Sequence, residues 1–223
     1  VSAQSSPESG GDDVEAASRR LPTEDDPDEF ATTFFNPFVP VERLSGHLPH
    51  WRQDGVAYFV TFRLADSLPA DLLAFWRIER DAWKRIHPSP LTPEDEAEYR
   101  RRFSARIECW LDQGAGSCVL RIPECRRIVE KALGHFDGVR YALGESVVAG
   151  NHVHAVVAPK PGNGLSSIVH SWKSYTAKEM LKEEAAVRGL GCRTVWQKES
   201  YDHIVRSAAA LTRIEEYIRS HKR

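Results

Sequence analysis

His152 and His154 stand two residues apart inside the apolar, β-branched stretch from Arg140 to Pro159. On a strand, side chains at i and i+2 leave the same face, with Cα atoms roughly 6 to 7 Å apart. Two neutral imidazoles at that separation can grip one divalent cation, given a third group from elsewhere in the fold and positions left open for substrate oxygens. The plainer alternative is a half-exposed polar strand face. After the strand, Lys160-Pro161-Gly162-Asn163-Gly164 reads as a loop. Apolar residues from Leu165 through Ile168, Val169, Trp172, Tyr175, Ala177, Met180 and Leu181 then recur at helical spacing, with no Pro or Gly before Gly189. Tyr175 and Glu179 fall one turn apart on one face of that helix. Singly they read as a core aromatic and a solvated charge. Together, if their face points at the histidines, Glu179 supplies the missing oxygen ligand and Tyr175 an oxygen that can attack a phosphodiester in line.

The segment Asn151-His152-Val153-His154 followed by an apolar strand resembles the His-hydrophobic-His signature of single-tyrosine HUH transposases, and most of all the REP-associated tyrosine transposases. Ser171-Trp172-Lys173-Ser174-Tyr175, Val195-Trp196-Gln197-Lys198, Tyr201-Asp202-His203-Ile204-Val205-Arg206 and the closing Ile214-Glu215-Glu216-Tyr217-Ile218 agree with that group, so the resemblance runs from roughly Gly46 to Arg223. The resemblance implies that His152, His154 and Glu179 hold Mg²⁺ or Mn²⁺. It also implies that Tyr175 becomes linked to a DNA 5′ phosphate and that the substrate is single-stranded or hairpin DNA of a palindromic kind. Relatives often carry Gln at the position given to Glu179, and Glu keeps the oxygen donor. Gly150 stands where many relatives have Pro. Relatives act as monomers or as homodimers that exchange the tyrosine helix. A DNA- or RNA-binding module that keeps the fold but no longer cuts is the alternative reading, and a hydrolase of small phosphoesters is a third.

The elements that must position these groups follow from patterning. Val56 to Phe62 reads as a central strand, Pro69 to about Ile86 as a helix, and Pro93 to Gln113 as a second helix with Arg100, Arg101, Arg102 and Arg106 at its centre. Gly114 to Cys118 reads as a loop that lacks a phosphate-binding fingerprint. Pro123 to about His135 forms another helix, and Arg140 to Val148 and His152 to Ala158 form a hairpin joined at Ala149-Gly150-Asn151. A strand around Val195 to Val205 and a last helix from Ala208 to His221 complete the chain. The order is that of an α+β, ferredoxin-like βαββαβ sandwich with an antiparallel sheet, a helical insertion at about residues 88–135 and a C-terminal helix.

Composition bounds the function classes. The 223 residues, 41% of them hydrophobic, suit one core, read as a domain over 31–223 with an acidic extension over 1–30. That extension carries nine acidic and two basic side chains and few large apolar groups, so it reads as a disordered tail, and the net charge of −2 becomes +5 for the remainder. No apolar run approaches membrane-spanning length and no basic leader opens the chain, so a soluble, cytoplasmic protein is expected. Cys109, Cys118, Cys125 and Cys192 lack the spacing of a zinc site and read as thiols. Lys173, Lys178, Lys182, Arg193, Lys198 and Arg206 form a modest basic footprint for DNA, with Trp196 as a stacking platform or a core anchor and Tyr201 as a second platform. His170 and His203 read as packing or surface histidines.

Overall fold

Phe59, Val60 and Phe62 alternate large and branched apolar groups, and the strand they form, Tyr58–Arg63, lies inside the sheet with both neighbours antiparallel. The computed structural model describes residue 21 and residues 33–44, 50–88, 91–184, 188, 190 and 194–221. In chain order the strands are β1 (Glu42–Leu44), β2 (His50–Arg52), β3 (Tyr58–Arg63), β4 (Tyr141–Val148), β5 (His152–Pro159) and β6 (Tyr201–Ile204). β1 and β2 pair apart from the rest, and the main sheet runs β4-β5-β3-β6. That is the strand order of a ferredoxin-like sheet, as the element order implied.

Strand alternation gives the sheet two faces. Tyr58, Val60, Phe62, Val153, Ala155 and Val157 point into one core cluster with α4 (Pro123–Gly134) and α5 (Leu165–Met180). Phe59, Val156, Ala158 and Val147 point into the other, which is closed by α6 (Ala208–Ser220). The insertion is assembled differently from the expectation. Helix α1 (Ala70–Ile86), α2 (Pro93–Tyr99), a π-helical turn at Arg100–Ser104 and α3 (Ala105–Asp112) share a third cluster of their own around Trp76, Trp83 and Phe103. The first crossover helix of the sandwich is therefore α4, and α1 belongs with the insertion. Its amphipathic pattern could not reveal this, because periodicity shows that a helix has a buried side and not what covers it. Thr92 caps α2 through a reciprocal capping box with Asp95. The basic run at the centre of the expected second helix is partly spent within the insertion, Arg106 on Glu79 at 2.7 Å and Arg102 on Glu98 at 3.6 Å.

Of the expected acidic tail, only Leu21 lies among the described residues, and it is 4% exposed in the cluster beneath α6. At Gly144 a Cβ would meet Leu21 Cγ and Val156 Cβ, both at 3.2 Å, so the glycine leaves room for this leucine. At this residue the segment contributes to the core, contrary to its composition. Leu21→Ala should lower unfolding free energy by about 2–4 kcal/mol in a denaturant titration, whereas deleting residues 1–20 should change it little. Equal stability of the Leu21 variant and the parent would refute the packing.

His203 on β6 packs against Phe59 with ring centroids 5.4 Å apart. Burial, and then Arg100, push its pKa down to about 4, against a partial opposing pull from Asp202. The unfolded chain binds this proton more readily, so stability present above about pH 6.5 is lost as pH falls toward the folded value. In denaturant titrations at a series of pH values, His203→Phe should lose less stability than the parent between pH 6.5 and 4. Parallel curves would contradict this.

Candidate metal and nucleophile site

The hairpin β4-β5 turns at Ala149-Gly150-Asn151, and the turn is pinned from outside. Ala149 N–H donates to His152 O, Leu120 N–H donates to Gly150 O, and a Cβ at Gly150 would come within 2.9 Å of Arg121 Nε. A side chain there would have to displace the Arg121 side chain, which lies over the turn. Asn151, fully buried, donates through Nδ2 to Ala115 O and so presents Oδ1 to His152.

His152 and His154 both leave β5 on the α6 face, with ring centroids 4.5 Å apart. Each is held by its Nδ1. His152 Nδ1 lies 2.7 Å from Asn151 Oδ1, and because that oxygen can only accept, the ring nitrogen donates. His154 Nδ1 lies 2.8 Å from Thr61 Oγ1 on β3. Burial keeps both rings neutral, lowering His152 to about 4 and His154 well below the usual histidine range, the latter helped by His152 and His221. His152 Nε2 is buried without a hydrogen-bond partner. A neutral imidazole with its Nδ1–H anchored and its Nε2 lone pair unpaired is the form that ligates a cation.

Helix α6 supplies the next groups. Ser207 caps it by accepting from Ala210 N, Ile218 is buried, and Arg219 Nε donates to Glu145 Oε1 at 3.1 Å; Glu145 is 2% exposed. These contacts fix the helix so that Tyr217 and His221, one turn apart, face the β5 histidines. Tyr217 Oη is 3.4 Å from His154 Nε2. His221 donates through Nδ1 to Tyr217 O at 2.9 Å and turns Nε2 to Asp112 Oδ1 at 3.0 Å. Asp112, at the end of α3, also lies 3.9 Å from His152 Nε2. One ligand atom from each of Asp112, His152, His154 and His221 falls within 4.8 Å of all the others. The donor set, the anchored Nδ1 atoms and the orphaned Nε2 fit a divalent cation of the first transition row. Burial and the charges of Glu108 and Asp112 push the Tyr217 phenol above its ordinary range, and burial, with Asp112, pushes the Glu108 carboxyl up to about 7.

The residues expected to complete the site are elsewhere. Helix α5 packs Leu165, Ile168, Trp172, Thr176 and Met180 onto the face of the sheet opposite the histidines, so Tyr175 and Glu179 share a face of α5 but not of the sheet. Tyr175 is 46% exposed, and Glu179 is paired with Lys182 at 2.7 Å. The expected DNA contacts divide similarly. The Lys173 ammonium donates to Gln197 O at 2.6 Å and Lys198 O at 2.8 Å, which makes it a brace for the chain before β6. Trp196 is a core anchor, 6% exposed, edge-on to Phe62 and donating to Thr176 Oγ1, and has no face free for a base. Arg206 is paired with Glu96 at 2.8 Å, Lys178 is exposed on α5, and Lys198 is exposed beside the insertion. Arg193 and Cys192 lie outside the described residues. Cys109, Cys118 and Cys125 are free thiols.

The site thus joins a His-hydrophobic-His pair on an antiparallel ferredoxin-like sheet to a helix that presents a tyrosine and a histidine to it. The family model described as transposase IS200-like matches residues 124–221, which take in β4, β5 and α6 and so His152, His154, Tyr217 and His221, but not Thr61, Glu108 or Asp112. Two solved structures are similar at low identity. One is a REP-associated tyrosine transposase bound to a REP hairpin, at 14% identity and TM-score 0.34, covering 78% of this chain and 70% of that one. The other is a protein from Deinococcus radiodurans provisionally described as a transposase, at 13% identity and TM-score 0.36, covering 74% of this chain and 90% of that one. No curated protein matches the chain. No described helix is long and apolar enough to cross a membrane.

Proposed function

We propose that the chain is a transposase-like, metal-dependent single-strand DNA endonuclease and strand transferase, with Tyr217 as nucleophile and His152, His154, His221 and Asp112 as the metal-binding group. The single observation that carries this is Tyr217 Oη at 3.4 Å from His154 Nε2, inside the His/Asp cluster. Tyr175 and Glu179, expected in these roles, face away from it.

A bound divalent cation would polarise the scissile phosphate and offset its charge. Three imidazoles and one carboxylate favour Mn²⁺ or a later metal over Mg²⁺, which prefers oxygen donors. Tyr217 Oη attacks phosphorus, the bond from phosphorus to the 3′ oxygen breaks, and the products are a 5′-phosphotyrosine and a free 3′ hydroxyl. The phenol is held protonated by its surroundings, so its proton must be taken as the oxygen attacks. Glu108, whose charge acts on Tyr217 and whose carboxyl is raised by burial, is the acid–base group we assign to that task. It can return the proton to the departing 3′ oxygen. The substrate is single-stranded or hairpin DNA. The reading is tested by incubating the full chain and Mn²⁺ with hairpin oligonucleotides carrying randomised single-stranded flanks. A denaturation-resistant protein–DNA adduct and a released 3′-hydroxyl strand support it, and hydrolysis without an adduct refutes the tyrosine route.

A further inference from the structure

Beside the histidines, on the same face of the sheet, a cavity of about 390 Å³ opens between the insertion and the chain leading into β6, a size within the range of roughly 300–1,000 Å³ typical of small-ligand sites. Its floor is continuous with the metal group. Thr61 and Arg63 on β3 line it, and in register they lie opposite His154 and His152. Tyr201, opposite Thr61 on β6, carries the floor onward. The cavity therefore begins about one strand spacing, roughly 4.8 Å, from the site.

Its walls combine three kinds of group. Leu73, Trp76 and Ile107 are apolar. Arg63, Arg77 and Lys198 are cationic, and Arg63 has only Ser67 Oγ as a side-chain partner among the described residues, at 3.1 Å. Burial and then the neighbouring charge of Arg77 lower Arg63 to about 10. Of the three carboxylates in the lining, Asp81 is bound to Arg80 at 2.7 Å, Glu108 acts on Tyr217, and Glu199 acts on Lys84 and Lys173. Third, Tyr99 lines the cavity at 6% exposure and its Oη is buried with no hydrogen-bond partner. An orphaned buried hydroxyl costs free energy unless something occasionally present satisfies it.

We infer that this cavity is a subsite for one unpaired nucleotide of the DNA strand next to the scissile phosphate, its phosphate held by Arg63 and Arg77 and its base edge hydrogen-bonded by Tyr99 Oη. An unpaired nucleotide has the required parts: an anion, apolar ring faces and a polar edge. The cavity supplies grip on the flank, while the cluster on β5 and α6 supplies chemistry. This rests on the reading of the protein as a DNA-processing enzyme, but binding can be measured without cleavage.

The experiment is fluorescence-anisotropy binding of a labelled single-stranded 12-mer with randomised sequence to the full chain, in EDTA, over a range of salt. Arg63→Gln and Arg77→Gln should each weaken binding several-fold and make the slope of log affinity against log salt shallower by about one. Tyr99→Phe, which removes only the oxygen, should weaken binding about five-fold and leave that slope unchanged. Glu179→Ala, on the opposite side of the sheet and away from both the cavity and the metal group, should bind as the parent does. Unchanged affinity and slope in both arginine variants would overturn the subsite. So would binding of free deoxynucleoside monophosphates with no oligonucleotide binding, which would make the cavity a small-nucleotide site. Because Arg77 is exposed and Tyr99→Phe keeps its ring, the test survives if Arg63→Gln fails to fold.

Discussion

Tyr217→Phe should abolish the covalent protein–DNA adduct, reducing strand cleavage by at least about 10³-fold, while hairpin binding stays within a few-fold of the parent. The substitution deletes one oxygen and keeps the ring against His154 and His221, whose centroids lie 5.3 and 4.4 Å from it. A covalent mechanism has no residual route once its nucleophile is gone, so the effect is large where a binding contact would cost only about 1 kcal/mol. Tyr175→Phe should behave as the parent in the same assay, because Tyr175 is exposed on the opposite side of the sheet. Loss of the adduct in Tyr175→Phe with retention in Tyr217→Phe would reverse the assignment.

The second large effect is on metal binding, read by isothermal titration calorimetry of the metal-free chain. Mn²⁺ should bind at least about 100-fold more tightly than Mg²⁺, since imidazole donors suit the transition metal and leave Mg²⁺ short of oxygens. His152→Ala, His154→Ala or His221→Ala should each weaken Mn²⁺ by at least about 10- to 100-fold, given that losing even an outer partner of a ligand costs that much. Asp112→Asn should weaken it less, because an amide oxygen can still coordinate. Thr61→Val removes the hydroxyl that orients His154 and should also weaken it. Glu179→Ala should leave affinity unchanged, its carboxylate being engaged with Lys182. A Glu179 effect without a His221 effect would return the third ligand to α5.

The β5 histidines were legible because strand alternation is local: two positions in one apolar run suffice to put both rings on one face. Their helix partner was not, and the reason is physical. The spacing rule that pairs Tyr175 with Glu179 pairs Tyr217 with His221 equally well, and it says nothing about which side of the sheet a helix covers. The distinguishing signal is in the packing pattern. Leu165, Ile168, Val169, Trp172, Thr176 and Met180 give α5 a wide buried side, away from which Tyr175 must point, while α6 buries Ile218 and leaves Tyr217 and His221 partly covered at its end. A helix whose tyrosine sits at the edge of its apolar stripe can present it to a site. Asp112 was beyond reach for another reason, since α3 meets the histidines only through the tertiary packing of an insertion built around Trp76, Trp83 and Phe103. Two readings left open by the sequence are closed by packing: Arg106 goes to Glu79 within the insertion, and Trp196, read as either a stacking platform or a core anchor, goes into the main core against Phe62.

The most direct measurement is to trap the adduct of the unaltered chain with a labelled hairpin oligonucleotide and Mn²⁺, digest it, and identify the peptide that carries the nucleotide by mass spectrometry. The expected result is a phosphodiester-linked remnant on Tyr217, in the peptide that spans Ile214 to Arg219. A remnant on Tyr175 or Tyr201 would contradict the assignment of the nucleophile.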